Sequence, residues 1–208
     1  MADPYVPDGE PSLIEALGRD AMHEQDLQKA VVWLRDECGR EGIPFAVIGA
    51  LAMRVHGFVR HTEDIDIVTT REGLDLIHER LVGRGLVPRA KGGRKGLKNT
   101  VFRVNVDVIA SGEKAGSSES PVQFPDPCGS EYGTRKDGVN YATLPHLLTL
   151  KIAAGEWGRR LKDFGDAIAL IRANSLDESY ADRLEEPVRA RFRDLVQRAR
   201  EEIDLVDE

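Results

Sequence analysis

The spacing of apolar residues changes twice along this chain, from helical to alternating and back to helical. Leu27, Ala30, Val31, Leu34 and Cys38 recur every three or four residues, which predicts one face of a helix. Ahead of them Ser12-Leu13-Ile14-Glu15 has the capping-box pattern and predicts a separate helix opening there. Gly39, Gly42 and Pro44 end the helical stretch. Phe45-Ala46-Val47-Ile48 is a short apolar run stopped by Gly49, which suits a buried strand, and residues 50–56 predict one or two helical turns closed by Gly57. Glu63-Asp64-Ile65-Asp66-Ile67-Val68 then alternates with period two, the pattern of a half-buried strand.

Leu74, Ile77 and Leu81 predict the apolar stripe of a short helix, and the glycines and lysines of 91–98 a hairpin loop or flap. The stretch from Val101 to Ile109 reads as a strand, with Val104, Val106 and Val108 on one face and Asn105 and Asp107 on the other. Residues 111–137 are rich in Gly, Ser and Pro and predict loops with short edge strands. From Pro145 the pattern is helical again. Leu161, Phe164, Ile168 and Ile171 form one stripe, while Val188, Phe192, Leu195, Ala199 and Ile203 form another after Pro187. This order predicts an α+β protein: a small mixed β-sheet core flanked by helices, with a helical C-terminal part. The expected division is a flexible tail over 1–11, a core with N-terminal helices over 12–142, and helices packed on that core over 143–208.

Composition narrows the classes of function. At 41% hydrophobic and 31% charged residues the chain has an ordinary globular balance, which excludes a wholly disordered or fibrous protein. No apolar run approaches the ~20 residues of a membrane-spanning helix, and the acidic, proline-containing start MADPYVPDGEPS lacks the form of a secretory signal. Cys38 and Cys128 lie far apart, with no CxxC and no neighbouring His, so neither a disulfide framework nor a zinc site is indicated. A cytoplasmic location with no membrane partner is expected. The formal net charge of −7 disfavours a general nucleic-acid coat. The charge is uneven, however. From Leu81 to Val106 there is no acid, while Arg84, Arg89, Lys91, Arg94, Lys95, Lys98 and Arg103 are all basic. A solvated loop is the plain reading of such a run, and binding of phosphate groups the functional one.

Strand geometry puts Asp64 and Asp66 side by side on the face opposite Ile65 and Ile67, and Asn105 with Asp107 on one face of the later strand. If the two strands are neighbours, three carboxylates converge. Such a patch repels itself unless a cation compensates it. Mg²⁺ takes oxygen ligands and bridges carboxylates to substrate phosphates, and two such ions would activate an attacking hydroxyl and stabilise leaving pyrophosphate. The plain alternative is the solvent face of an edge strand, where acids prevent pairing. Gly49 and Ala50 open the short helix, where backbone N–H groups would point at an anion.

Val47-Ile48-Gly49-Ala50-Leu51-Ala52, then His56-Gly57, then Arg60-His61-Thr62-Glu63-Asp64-Ile65-Asp66 resemble the first motif of the polymerase-β-like nucleotidyltransferases, most closely the AbiEii-type, toxin-related group. Asp107 in NVDVIA resembles the third carboxylate of that superfamily. Lys151, followed by Arg160 and Lys162-Asp163-Phe164-Gly165-Asp166, is similar to the group's downstream lysine and aspartate motifs. The likeness spans about residues 45–171. One departure is Ala50, where the family commonly has Gly or Ser; any phosphate contact there comes from the backbone.

The resemblance implies a nucleotidyltransferase fold, two-metal chemistry with Mg²⁺ or Mn²⁺, and a nucleoside triphosphate donor. Asp64, Asp66 and Asp107 are then the metal ligands and, with Lys151, the catalytic set. Gly49, Ala50, Arg60, Thr62 and Asp163 are the nucleotide-binding candidates. The acceptor hydroxyl would belong to tRNA, a protein or a small molecule such as an aminoglycoside, and an antitoxin protein is an expected partner. For Asp163 and Asp166 the plain alternative is a solvent face opposite the Leu161 stripe, paired with Arg160 and Lys162. For Lys151 it is a surface lysine; for His56, a packed histidine. The competing function is a catalytically degenerate module that binds nucleotide or a partner. A phosphohydrolase fits less well, because no His-Asp dipeptide is present.

Overall fold

The computed structural model describes residues 13–204, with side chains over 22–201. The expected tail over 1–11, and Ser12 of the capping box, lie outside the described residues. The two N-terminal helices expected from the sequence are one, α1 (Leu13–Arg40). Between the two apolar patterns only Gly18 disfavours a helix, and a lone glycine costs about 1 kcal/mol, too little to break one.

Seven strands form one mixed sheet: β1 (Phe45–Val47), β2 (Asp64–Thr69), β3 (Leu86–Pro88), β4 (Gly96–Asn99), β5 (Asn105–Ala110), β6 (Thr134–Lys136) and β7 (Val139–Tyr141). Their order is β3-β4-β5-β2-β1-β7-β6. β2 and β5 are parallel, β1 runs antiparallel to β2, and β7 is parallel to β1. The helices are α2 (Gly49–Val55), α3 (Arg71–Leu76) with a wider turn over Ile77–Leu81, α4 (Leu144–Glu156), α5 (Leu161–Ala173) and α6 (Arg189–Asp204). The expected α+β class, with a mixed sheet and a helical C-terminal part, is what the chain adopts. Ile65 and Ile67 are fully buried on one face of β2, and α1 lies against β2 and β7. α4 packs on α2 and α5, and α6 packs on α5. Among the described residues no helix is long and apolar enough to cross a membrane.

Elsewhere the structure departs from the apolar pattern. β5 begins at Asn105 rather than Val101, because Asn99 turns the chain there. Its Oδ1 accepts the backbone N–H groups of Val101 (2.9 Å) and Phe102 (3.0 Å), and Arg103 takes a left-handed φ of 61°. Residues 100–103 are therefore the β4–β5 turn, and Val101 is exposed.

The second departure is α5. Its inward side carries Asp163, Asp166, Ala167, Leu170 and Ile171, whereas Leu161 is 80% exposed and Phe164 and Ile168 are half-buried. The helix is rotated away from the apolar stripe by the ion pairs its acids make. Leu161→Gln should accordingly change stability by no more than about 0.5 kcal/mol, whereas an equivalent change at a buried stripe position costs roughly 2–5 kcal/mol. A thermal melt reads the difference. In α6 the stripe holds: Val188, just ahead of the helix, and Phe192, Leu195 and Ala199 within it are buried, while the Ile203 side chain lies outside the described residues.

Candidate active site

The parallel β2–β5 pairing brings the predicted carboxylates together. Asp64 stands opposite Asn105 and Asp66 opposite Asp107, all on the face away from Ile65 and Ile67. The turn from β1 into α2 folds directly over Asp66. Ile48 N–H donates to the Asp66 carbonyl at 3.0 Å, and Gly49 turns with φ +64°. A Cβ on Gly49 would lie 2.0 Å from Asp66 Oδ2, so glycine is required both for the backbone angle and for the space. Gly49→Ala should cost about 1–3 kcal/mol by denaturant melt and push the Asp66 carboxylate from its place. Ala50, next along, is buried, leaving only its backbone for a ligand.

Electrostatics follow from this crowding. Burial pushes the Asp66 carboxyl up to about 6, with the charges of Asp107 and Asp64 adding to it and those of Lys151 and Arg160 opposing. Burial also raises Asp107, helped by Asp64 and opposed by Arg89. Arg89, just beyond β3, forms an ion pair with Asp107 and donates a hydrogen bond to its Oδ1. The charge of the basic run is plain in the sequence, but no signal there points to this partner. Gly96 sits opposite Asp107 in the β4–β5 register, and its missing side chain leaves room for the guanidinium.

Around the cluster lies a buried clasp. Lys151 Nζ on α4 donates to Asp163 Oδ1 (2.7 Å) and Asp166 Oδ2 (2.6 Å) on α5. Arg160 Nε pairs with Asp163 Oδ2 at 3.0 Å, and Arg60 Nε with Asp166 Oδ1 at 3.4 Å. Lys151 is thus no free surface lysine, and the two aspartates are not a solvated face; Asp163 is 2% exposed. Lys162 makes no ion pair with either aspartate. Thr62 is turned to the backbone: its hydroxyl donates to the Asp64 carbonyl (3.2 Å) and lies 3.4 Å from the Asp64 N–H. His56 Nε2 lies 2.7 Å from the Ala142 carbonyl, as a packing histidine does.

Of the basic run, Arg94 pairs with Asp75 and Lys95 with Glu113, while Arg84, Lys91, Lys98 and Arg103 have no ion-pair partner among the described residues. Among those residues, no three His, Cys, Asp or Glu side chains are drawn together into a ready cage for a metal. Asp107 is instead held by Arg89. Mg²⁺ does not need such a cage, since it keeps several waters and binds through one or two carboxylates and substrate phosphates.

No family model matches the chain, and no curated protein does. Solved structures do. The solution structure of the antibiotic-resistance factor ANT(2″)-Ia is 13% identical, covers 91% of this chain and 100% of its own, and superimposes with a TM-score of 0.52. The crystal structure of ANT(2″)-Ia in complex with adenylyl-2″-tobramycin is also 13% identical, covers 81% and 98%, and gives a TM-score of 0.50. At this identity the likeness is one of fold: the chain shares the architecture of ANT(2″)-Ia.

Proposed function

We propose that this chain is a nucleotidyltransferase that moves a nucleoside monophosphate from a nucleoside triphosphate to an acceptor hydroxyl. The observation that carries the reading is the β2–β5 register, which sets Asp66 against Asp107 with Asp64 on the same face, beneath the Gly49 turn. Catalytically degenerate sites have no need of mutually repelling acids, and here the charges of Asp107 and Asp64 add to burial in raising Asp66.

The cluster suits a hard divalent cation, Mg²⁺ or Mn²⁺. Its donors are all carboxylate oxygens, and Arg89, Lys151 and Arg160 offset their charge only in part. Asp64, Asp66 and Asp107 would hold the ion, which supplies charge stabilisation at the phosphates and an acidified acceptor hydroxyl. Asp107, with its raised pKa, accepts the acceptor's proton. Lys151, fixed by Asp163 and Asp166, adds positive potential beside Asp66 rather than reaching out as a flexible point charge. Asp163 therefore serves the nucleotide through Lys151. Arg60 and the backbone of Gly49 and Ala50 remain the direct candidates for the triphosphate, and Thr62 shapes the approach to Asp64.

Two acceptors follow from different observations. The likeness to the AbiEii-type group, together with the unpaired cations Arg84, Lys91, Lys98 and Arg103, supports RNA, a toxin role and an antitoxin partner. The fold shared with ANT(2″)-Ia, whose complex holds an adenylylated tobramycin, supports an aminoglycoside hydroxyl. The test is label transfer from each α-³²P nucleoside triphosphate with Mg²⁺ or Mn²⁺, offered total tRNA or tobramycin, with the Asp64→Ala/Asp66→Ala double variant as control. Metal-dependent label on one acceptor, lost in the variant, is the expected result. Tight nucleotide binding with no transfer to any acceptor would favour a binding module instead.

A further inference from the structure

The Arg89–Asp107 pair is an unusual element of this site, because Arg89 takes a carboxylate that the proposed function assigns to a cation. The contact is built. β3 and β4 form an antiparallel hairpin with Pro88 opposite Leu97, so Arg89 follows the last paired residue of β3. Its N–H donates to the Gly96 carbonyl at 2.9 Å, which fixes where the side chain starts. Gly96 lies opposite Asp107 on the next strand. A Cβ on Gly96 would come within 2.9 Å of Arg89 Nη2 and 3.0 Å of Nε, so the guanidinium crosses β4 through the space a side chain would fill. Both partners of the pair are about one-third exposed (side-chain values of 37% and 33%), so the pair can open without unpacking the core.

We propose that Arg89 is an exchangeable counter-ion of the carboxylate cluster: it neutralises Asp107 until a divalent cation takes that oxygen, and the released guanidinium then grips the phosphates that accompany the cation. This rests on the nucleotidyltransferase reading and adds a residue and an order of events to it. The chemistry is suited to the exchange, because the planar guanidinium fork matches carboxylate and phosphate equally well. Asp107 carries a single negative charge, and a guanidinium and a divalent cation beside it repel each other, so their claims on it compete. Removing the arginine should therefore strengthen one ligand and weaken the other, which a merely structural role would not do.

The test uses the full chain and two probes. Mn²⁺ alone is titrated by electron paramagnetic resonance, and inorganic tripolyphosphate with Mg²⁺ by calorimetry, so that no base preference enters. Arg89→Gln should bind Mn²⁺ about tenfold more tightly, the worth of one neighbouring charge-assisted contact, and bind tripolyphosphate about tenfold more weakly. Arg89→Lys should restore both values in part. Gly96→Ala keeps the charge and obstructs only its path, so it should tighten Mn²⁺ in the same direction as Arg89→Gln, and adding it to Arg89→Gln should change nothing further. Unchanged Mn²⁺ affinity in folded Arg89→Gln would overturn the exchange, and undiminished tripolyphosphate affinity would overturn the transfer to phosphate. A wild-type chain that takes up no Mn²⁺ would overturn the functional reading itself, so the two failures are distinguishable.

Discussion

Asp66→Asn should abolish nucleotidyl transfer and, at pH 8, make the metal-free protein more stable. Both effects come from one carboxylate. On the activity side the change removes one carboxylate of the proposed metal-binding set, the one that stands opposite Asp107 and shares a face with Asp64. Loss of several kcal/mol of charge stabilisation at the phosphates corresponds to a fall of about 10³-fold or more in rate. On the stability side Asp66 titrates near 6 in the folded chain, against an ordinary 3.8. A raised carboxyl favours folding while it is protonated. That contribution is complete below about pH 4 and is lost as the pH rises through 6. Above pH 6 the ionised group therefore opposes folding, by on the order of 3 kcal/mol. Replacing it with Asn should raise Tm by about 6–12 °C at pH 8 and by little at pH 4. Added Mg²⁺ should raise the wild-type Tm at pH 8 and leave that of the variant unchanged. An Asp66→Asn protein that melts like wild type at pH 8, or that still transfers label, would contradict the assignment.

The second large effect is expected at Lys151→Met. Its ammonium is the buried partner of two carboxylates, with side-chain exposures of 11% for Lys151, 2% for Asp163 and 6% for Asp166. Truncating one member of such a cluster leaves buried charge uncompensated, which typically costs about 3–5 kcal/mol. Tm should fall by roughly 10 °C, because α4 and α5 would be held against each other by packing alone. Arg60 and Arg160 are too peripheral to replace it; each touches one aspartate, and Arg160 is more than half exposed. The triple variant Lys151→Met/Asp163→Asn/Asp166→Asn should regain most of the loss, since neutral groups of the same shape carry no stranded charge. That triple variant also separates structure from function. If Lys151 supplies potential at Asp66, as its opposing influence there indicates, the refolded triple variant should still transfer nucleotide poorly. Full activity in a stable triple variant would make Lys151 structural only.

The strands of the candidate site were largely legible in the sequence because their signal is local. Period-two alternation states which residues share a face, whatever the strand later pairs with. Asp64 with Asp66, Asn105 with Asp107, and the inward Ile65 and Ile67 could be read this way, as could the Gly49 stop between β1 and α2. That β2 and β5 are neighbours could be stated only as a condition, and the sheet met it.

Where the reading failed, partners distant in sequence had decided the outcome. An apolar-stripe argument assumes that acids face water, yet α5 turns Asp163 and Asp166 inward and leaves Leu161 out, because Lys151 lies on another helix and supplies the charge that makes burial tolerable. Val101–Arg103 leads into an alternating stretch and reads as its start, but the Asn99 side chain claims two of its N–H groups and makes a turn. Arg89 looked like one cation among seven until β3, β4 and β5 were laid side by side and Gly96 opened its path to Asp107. The sequence by itself determined the faces of the strands, the α+β order and the chemistry of the carboxylates, since these depend on neighbours within a few residues. The tertiary structure alone decided which charges meet, because the free energy of a buried charge is set by what stands a few ångströms away in space.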